Sequence, residues 1–189
     1  MRIVAVVGSP RAGGNTDVLV DRIIAGATSL GAHVDRFFLA DMDIRPCRGC
    51  EGCRQAPEHP CVVDDDMQEI HERLRACDGV IVGTPIYWFT MSAYTKIFMD
   101  RWYALGAGGP TGHALQGKRF AFAMTYADPD ALSSGALNAY RTFQDACRWL
   151  GGEIVGFVHG VAWEKGEIAR NEALMKQAEL LGRRLAGGR

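Results

Sequence analysis

Short apolar runs rich in β-branched residues alternate along this chain with stretches whose apolar positions recur every three or four residues. The runs are "RIVAVV" (2–7), "HVDRFFLA" (33–40), "GVIVGT" (79–84), "RFAFAMTYA" (119–127) and "EIVGFVHGV" (153–161). Each predicts a strand. The first and third are almost wholly apolar, as in strands covered on both faces. The helical stretches are 15–30, with Val18, Leu19, Ile23 and Leu30 at helical spacing, and 64–77, with Met67, Ile70 and Leu74 on one face. The second opens on "DDD", and acidic residues suit the positive end of a helix. Further helices are predicted over 90–103, about 133–150 and about 164–186.

This alternation predicts an α/β protein, a flavodoxin-like three-layer sandwich with a five-stranded parallel sheet of order 2-1-3-4-5. In such sheets ligands bind beyond the carboxyl ends of the strands, beside the point where the strand order reverses. The loops after strands one, three and four are therefore the places to look.

The first loop is "GSPRAGGNT", Gly8 to Thr16, between a strand and a helix. Free N–H groups and the helix dipole make such a corner an anion site. Ser9, Asn15 and Thr16 can donate hydrogen bonds, and Arg11 a charge-assisted one. A nucleotide P-loop would require lysine after the last glycine, where Asn15 stands. A dinucleotide fingerprint would require glycine where Pro10 stands. A terminal monophosphate fits better than a triphosphate or a pyrophosphate. After strand three, "TPIYWFTMS" carries Pro85, Tyr87 and Trp88, a platform on which a flat ring could stack. The same aromatics could also be ordinary core.

The chain has 189 residues and a net charge of −1, the size of a single domain over 1–189 with no excess charge to hold nucleic acid or an anionic membrane. The apolar run after Met1 is too short for a signal peptide, and no stretch has the length of a membrane span, so a cytoplasmic location is expected. In that reducing setting the cysteines change the picture. Cys47, Cys50, Cys53 and Cys61 are spaced C-x2-C-x2-C-x7-C. Three thiols two residues apart match compact iron–sulfur ligand runs, while a redox dithiol, Cys47 with Cys50, stays open and zinc fits less well. The final gap, with Pro57, His59 and Pro60, is long for a cluster. Cys77 and Cys147 fall in helical patterns and read as packing. Of the histidines, His71 reads as a solvated helix residue. His159, at the ligand side of strand five, is expected to be structural.

Together, "GSPR…GNT", "PCRGCEGC…C…DDM" and "DGVIVGTPIYWFTMSAYTKIFMDR" resemble the NADPH-dependent FMN reductase family, nearest its iron–sulfur flavoprotein branch, over about residues 1–130. The resemblance implies an oxidoreductase with FMN as cofactor and NAD(P)H as cosubstrate. Electrons would pass to a quinone, a nitro or azo compound, a metal or another flavin. It implies phosphate contacts from Ser9, Arg11, Asn15 and Thr16, and ring contacts from Pro85, Ile86, Tyr87 and Trp88. Met91 and Ser92 would lie at the ring edge, with Thr125, Tyr126 and Ala127 as a third wall. No residue is assigned an acid–base role. The alternative is an electron carrier that takes electrons from ferredoxin through a [4Fe–4S] cluster on Cys47, Cys50, Cys53 and Cys61. A homodimer or homotetramer is also implied, with Tyr94, Phe98 and Trp102 facing a second subunit. Lys96, Asp100 and Arg101 would be interface ion pairs or a solvated helix face.

Overall fold

The computed structural model describes residues 1–55, 61–106 and 112–188. Strands β1 (Arg2–Val7), β2 (His33–Phe38), β3 (Gly79–Tyr87), β5 (Arg119–Tyr126) and β6 (Glu153–Val161) form a parallel sheet in the order β2-β1-β3-β5-β6. This is the flavodoxin-like order expected. Strand β4 (Thr90–Met91) is an addition: β3 runs past its expected end and turns back on itself, pairing Ile86 with Met91 and Tyr87 with Thr90.

The alternation of side chains along each strand divides the core in two. Val4, Val6, Val80, Val82, Phe120, Phe122 and Met124 face helices α2 (Met67–Ala76), α3 (Ala93–Asp100) and α4 (Ala136–Leu150). Ile3, Ala5, Val7, Ile81, Ala121, Ala123 and Val158 face α1 (Asn15–Thr28) and α5 (Glu172–Leu185). Small residues let α1 and α5 cross closely. A Cβ on Gly26 would stand 2.0 Å from the Glu179 carbonyl oxygen, and one on Gly182 1.8 Å from that of Ile23.

Several boundaries differ from expectation because polar side chains intervene. Helix α2 starts after the aspartates, with Asp65 Oδ1 accepting from Met67 N at 3.1 Å. Helix α3 starts at Ala93, its N-cap Ser92 accepting from Thr95 N, and gives way at Arg101 to a 3-10 turn over Arg101–Leu105. The last predicted helix is two pieces, a 3-10 turn over Glu167–Arg170 and then α5, which Asn171 caps by accepting from Leu174 N at 3.0 Å. Among the described residues no helix is long and apolar enough to cross a membrane.

Three side-chain expectations are corrected. Phe98 and Trp102 do not face outward; they lie in the core, ring edge to ring face at 5.4 Å. Arg101 is likewise buried and pairs with Asp65, so it is no interface residue, while Lys96 pairs with Asp100 on its own helix. His71 is fully buried rather than solvated, with Nε2 2.9 Å from the Arg101 carbonyl oxygen. Burial first of all holds its pKa down, to about 4, so the imidazole is neutral and donates that bond.

Candidate functional site

The sheet order reverses between β1 and β3, and their following loops meet there. Gly8 donates to the Gly83 carbonyl at 2.8 Å, tying the first loop to β3. Only glycine fits at 8: a Cβ would stand 1.9 Å from Thr95 Oγ1. Ser92 Oγ donates to the Gly8 carbonyl at 2.6 Å, anchoring the loop to the cap of α3.

From this corner opens a cavity of ≈520 Å³, within the range of about 300–1,000 Å³ usual for cofactor sites. Ser9, Arg11, Asn15 and Thr16 line one end. Pro85, Ile86 and Tyr87 form one wall; Thr125, Tyr126 and Ala127 form another. The structure thus brings together three loops that span more than a hundred residues of sequence from first to last.

The polar end is short of acceptors. Ser9 is buried; its Oγ accepts from Arg11 N at 3.2 Å, and its O–H has no acceptor among the described residues. Thr16 Oγ1 and Thr125 Oγ1 share one hydrogen bond at 2.7 Å, so one hydroxyl hydrogen remains for a ligand. Helix α1 contributes its unfilled first-turn N–H groups. Gly13, at φ +66°, donates to Asp17 Oδ2 at 2.7 Å, and Arg36 of β2 pairs with the other oxygen of Asp17. Arg11 has no carboxylate partner among the described residues. Buried hydroxyl donors, open N–H groups and an unpaired cation together suit an anion, as the terminal phosphate of FMN is.

Four predicted residues have other placements or partners in the structure. The Asn15 side chain is engaged within the protein, one Nδ2 hydrogen donated to Glu164 O at 2.9 Å and Oδ1 accepting from Ile168 N at 3.2 Å, while the residue also borders the cavity. Ser92 is a cap, and Met91 is core. Trp88 does not line the cavity. It stands 92% exposed at the tip of the β3–β4 hairpin, with Phe89 beside it, both at positive φ (49° and 65°). A two-residue hairpin turn demands that backbone, at a steric cost for side chains larger than glycine. Asn138 Nδ2 holds the tip by donating to Phe89 O at 2.9 Å.

The loop after β6 was missed. Ala162, Trp163, Glu164 and Lys165 also line the cavity. The signal was "AWEK", an aromatic and a lysine just beyond a strand's carboxyl end. Beside this loop, Tyr126 Oη is 2.8 Å from His159 Nδ1. Burial, with Asp130 adding to it, raises the Tyr126 phenol above its ordinary value.

The cysteines lie elsewhere. Cys47, Cys50, Cys53 and Cys61 line one small pocket closed by Arg101, Tyr103 and Ala104. Among the described residues no three Cys, His, Asp or Glu side chains are gathered closely enough to hold a metal. The donor chemistry suits an iron–sulfur cluster; the present arrangement of the four thiols does not converge on one. Pro57, His59 and Pro60 lie outside the described residues. Cys77 and Cys147 are buried, as expected of packing, and burial raises their thiols to about 11 and about 12.

Comparison with known proteins accords with this geometry. The family model for NADPH-dependent FMN reductase matches residues 1–150. The chain belongs to that family. FMN, with NAD(P)H as donor, is the cofactor pairing this membership implies. An iron–sulfur flavoprotein of Methanosarcina thermophila is 38% identical over 101 residues, 53% of this chain and 52% of the relative, so the match spans about half that relative's length. The Trp repressor binding protein of Bacillus subtilis superposes with a TM-score of 0.68 at 25% identity, covering 95% of this chain and 96% of the other. NAD(P)H:quinone oxidoreductase from Methanothermobacter marburgensis shares the fold, with a TM-score of 0.74 at 16% identity over 98% of this chain and 96% of the other.

Proposed function

We propose that this protein is an FMN-dependent NAD(P)H oxidoreductase that hands electrons to a small-molecule acceptor such as a quinone, a nitro or azo compound, a metal or another flavin. The observation that carries the reading is the junction of an anion-ready loop with an aromatic wall in one cavity. The phosphate end would use Ser9 O–H, Arg11, the Thr16–Thr125 hydroxyl pair and the first-turn N–H groups of α1. Pro85, Ile86, Tyr87, Thr125, Tyr126 and Ala127 would enclose the ring.

When bound, FMN supplies the hydride and electron chemistry, and the protein supplies position and electrostatics. The pocket's own groups do the rest. Pro85 and the β3–β5 register fix the two walls relative to one another. The paired Tyr126 and His159 offer a phenolic hydroxyl, whose ionised form burial further disfavours. Tyr87, 40% exposed at the mouth, keeps an apolar edge against which a flat acceptor can lie. Anaerobic mixing of FMN-loaded protein with NADPH tests the reading: bleaching of the flavin bands supports it, and an unreactive FMN complex points to a binding module.

A second reading is favoured by the four cysteines that line one pocket and by the name of the Methanosarcina relative. In it the protein is an iron–sulfur flavoprotein electron carrier fed by ferredoxin, with Cys47, Cys50, Cys53 and Cys61 as ligands of a [4Fe–4S] cluster. The chain would have to draw these thiols together on taking up iron. We further propose a cytoplasmic homodimer or homotetramer. The revised surface for it is the hairpin tip with α3 and α4, where Trp88, Phe89, Tyr94, Leu137 and Trp149 are exposed.

A further inference from the structure

We propose that Lys165 is a second phosphate cation of the cavity, carried on a strap, residues 163–168, which Asn15 latches onto the phosphate loop. The inference rests on the reading of the first loop as the FMN phosphate site.

The strap follows β6 and crosses the first loop. A methyl group added to Gly13 would lie 3.5 Å from Lys165 Cε and 3.9 Å from its Nζ, and one added to Gly166 would lie 3.6 Å from the Gly13 carbonyl oxygen. The ammonium therefore stands beside Gly13, in the loop that leads into the open first turn of α1. Lys165 has no carboxylate partner among the described residues, although Glu164 and Glu167 are neighbours in sequence. Glu167 is spent on the strap itself: one oxygen accepts from Trp163 N at 2.7 Å and Glu164 N at 2.9 Å. Neither carboxylate therefore pairs with this lysine at salt-bridge distance among the described residues.

Asn15 sets the strap's position. Its amide both donates and accepts across 149 and 153 residues of sequence, to Glu164 O and from Ile168 N, on either side of Lys165. An aspartate would repel the Glu164 carbonyl, and a serine would not span both partners. With Arg11 on the loop and Lys165 on the strap, two unpaired cations bracket the helix terminus. That arrangement suits a phosphate dianion better than a singly charged ligand.

Equilibrium titrations with FMN and with riboflavin test the proposal. Lys165→Met should raise the FMN dissociation constant about tenfold, the scale of a charged hydrogen bond partly open to water, and leave riboflavin unchanged. Lys165→Arg should keep FMN binding near the wild-type value. Asn15→Ala should weaken FMN in the wild-type background, with much less further effect beside Lys165→Met, because both changes remove the same contact. If the wild type prefers FMN but Lys165→Met keeps that preference in full, Lys165 is not a phosphate ligand and the first-loop reading stands. If the two single changes add fully, Asn15 does not act through Lys165 and the latch is refuted. If the wild type binds FMN and riboflavin equally, the first-loop reading fails and this proposal with it.

Discussion

Arg101 and Asp65 form a doubly hydrogen-bonded ion pair, at 2.6 and 3.0 Å, with both side chains out of water. The same guanidinium donates to Arg45 O at 2.7 Å and stands 3.5 Å from Cys61 Sγ, so it joins the cysteine loop to the core. Breaking such a pair strands the other charge. Asp65→Asn should therefore destabilise the fold by about 3–5 kcal/mol. Urea unfolding at pH 7 reads this directly, and a loss under 1 kcal/mol would mean that water reaches the pair.

Acid should unfold the protein in two stages. His71 has a pKa near 4 when folded, against 6.5 as its ordinary value. The unfolded chain therefore takes up the proton first, and stability falls as pH drops from about 6.5 to about 4, by on the order of 3 kcal/mol. Asp65 extends the loss below that window. Burial alone would raise its carboxyl, but bonds from Arg101, Arg45 N and Met67 N outweigh burial and hold it below 3.8. Its contribution is present above the unfolded value and disappears as pH falls through the folded one. Denaturation at pH 7 and pH 5 for the wild type and His71→Leu checks the first stage: the variant should lose a large part of the pH dependence between them, the rest coming from His113, whose burial also lowers its pKa.

Trp88 and Phe89 couple strain to exposure. Trp88→Asn places a residue that tolerates positive φ at the hairpin tip, and should stabilise the folded subunit by about 0.5–1 kcal/mol. It should also weaken self-association by removing an exposed indole. Light scattering across a dilution series, paired with unfolding, separates the two. A monomeric wild type at micromolar concentration would remove the assembly from the account.

The cysteine pocket makes its own prediction. On the second reading, anaerobic reconstitution with iron and sulfide loads the protein, and Cys50→Ser abolishes that iron while FMN binding survives, because the two sites share no residues. Ligand sites fill when metal is supplied. Iron below about a tenth of an atom per chain after reconstitution would eliminate the cluster reading.

Much of this was legible before any coordinates. The β-branched runs of β1 and β3 and the helical spacing around them point to the parallel α/β class, in which the flavodoxin-like order is the one found. What was not legible depends on partners distant in sequence. Nothing local signals that Glu164 and Ile168 also engage the Asn15 amide. His71 looks solvated because its burial comes from the 3-10 turn at Arg101, whose start no local pattern marks. Phe98 lies on α3 and Trp102 on the 3-10 turn that follows, in a segment whose exposed and buried sides both carry aromatics, so composition alone could not say which side meets the core. Lys165 lies beyond the last strand, where only the folded sheet brings it back over Gly13.

The central claim is that the first loop holds the phosphate of FMN. Calorimetric titration of the flavin-free wild-type protein with FMN and with riboflavin tests it most directly. The account predicts one FMN per chain, bound at least tenfold more tightly than riboflavin, with Arg11→Ala weakening FMN by about 1.5–3 kcal/mol and riboflavin hardly at all. Equal affinity for the two flavins, or an Arg11→Ala effect of the same size on both, would contradict it.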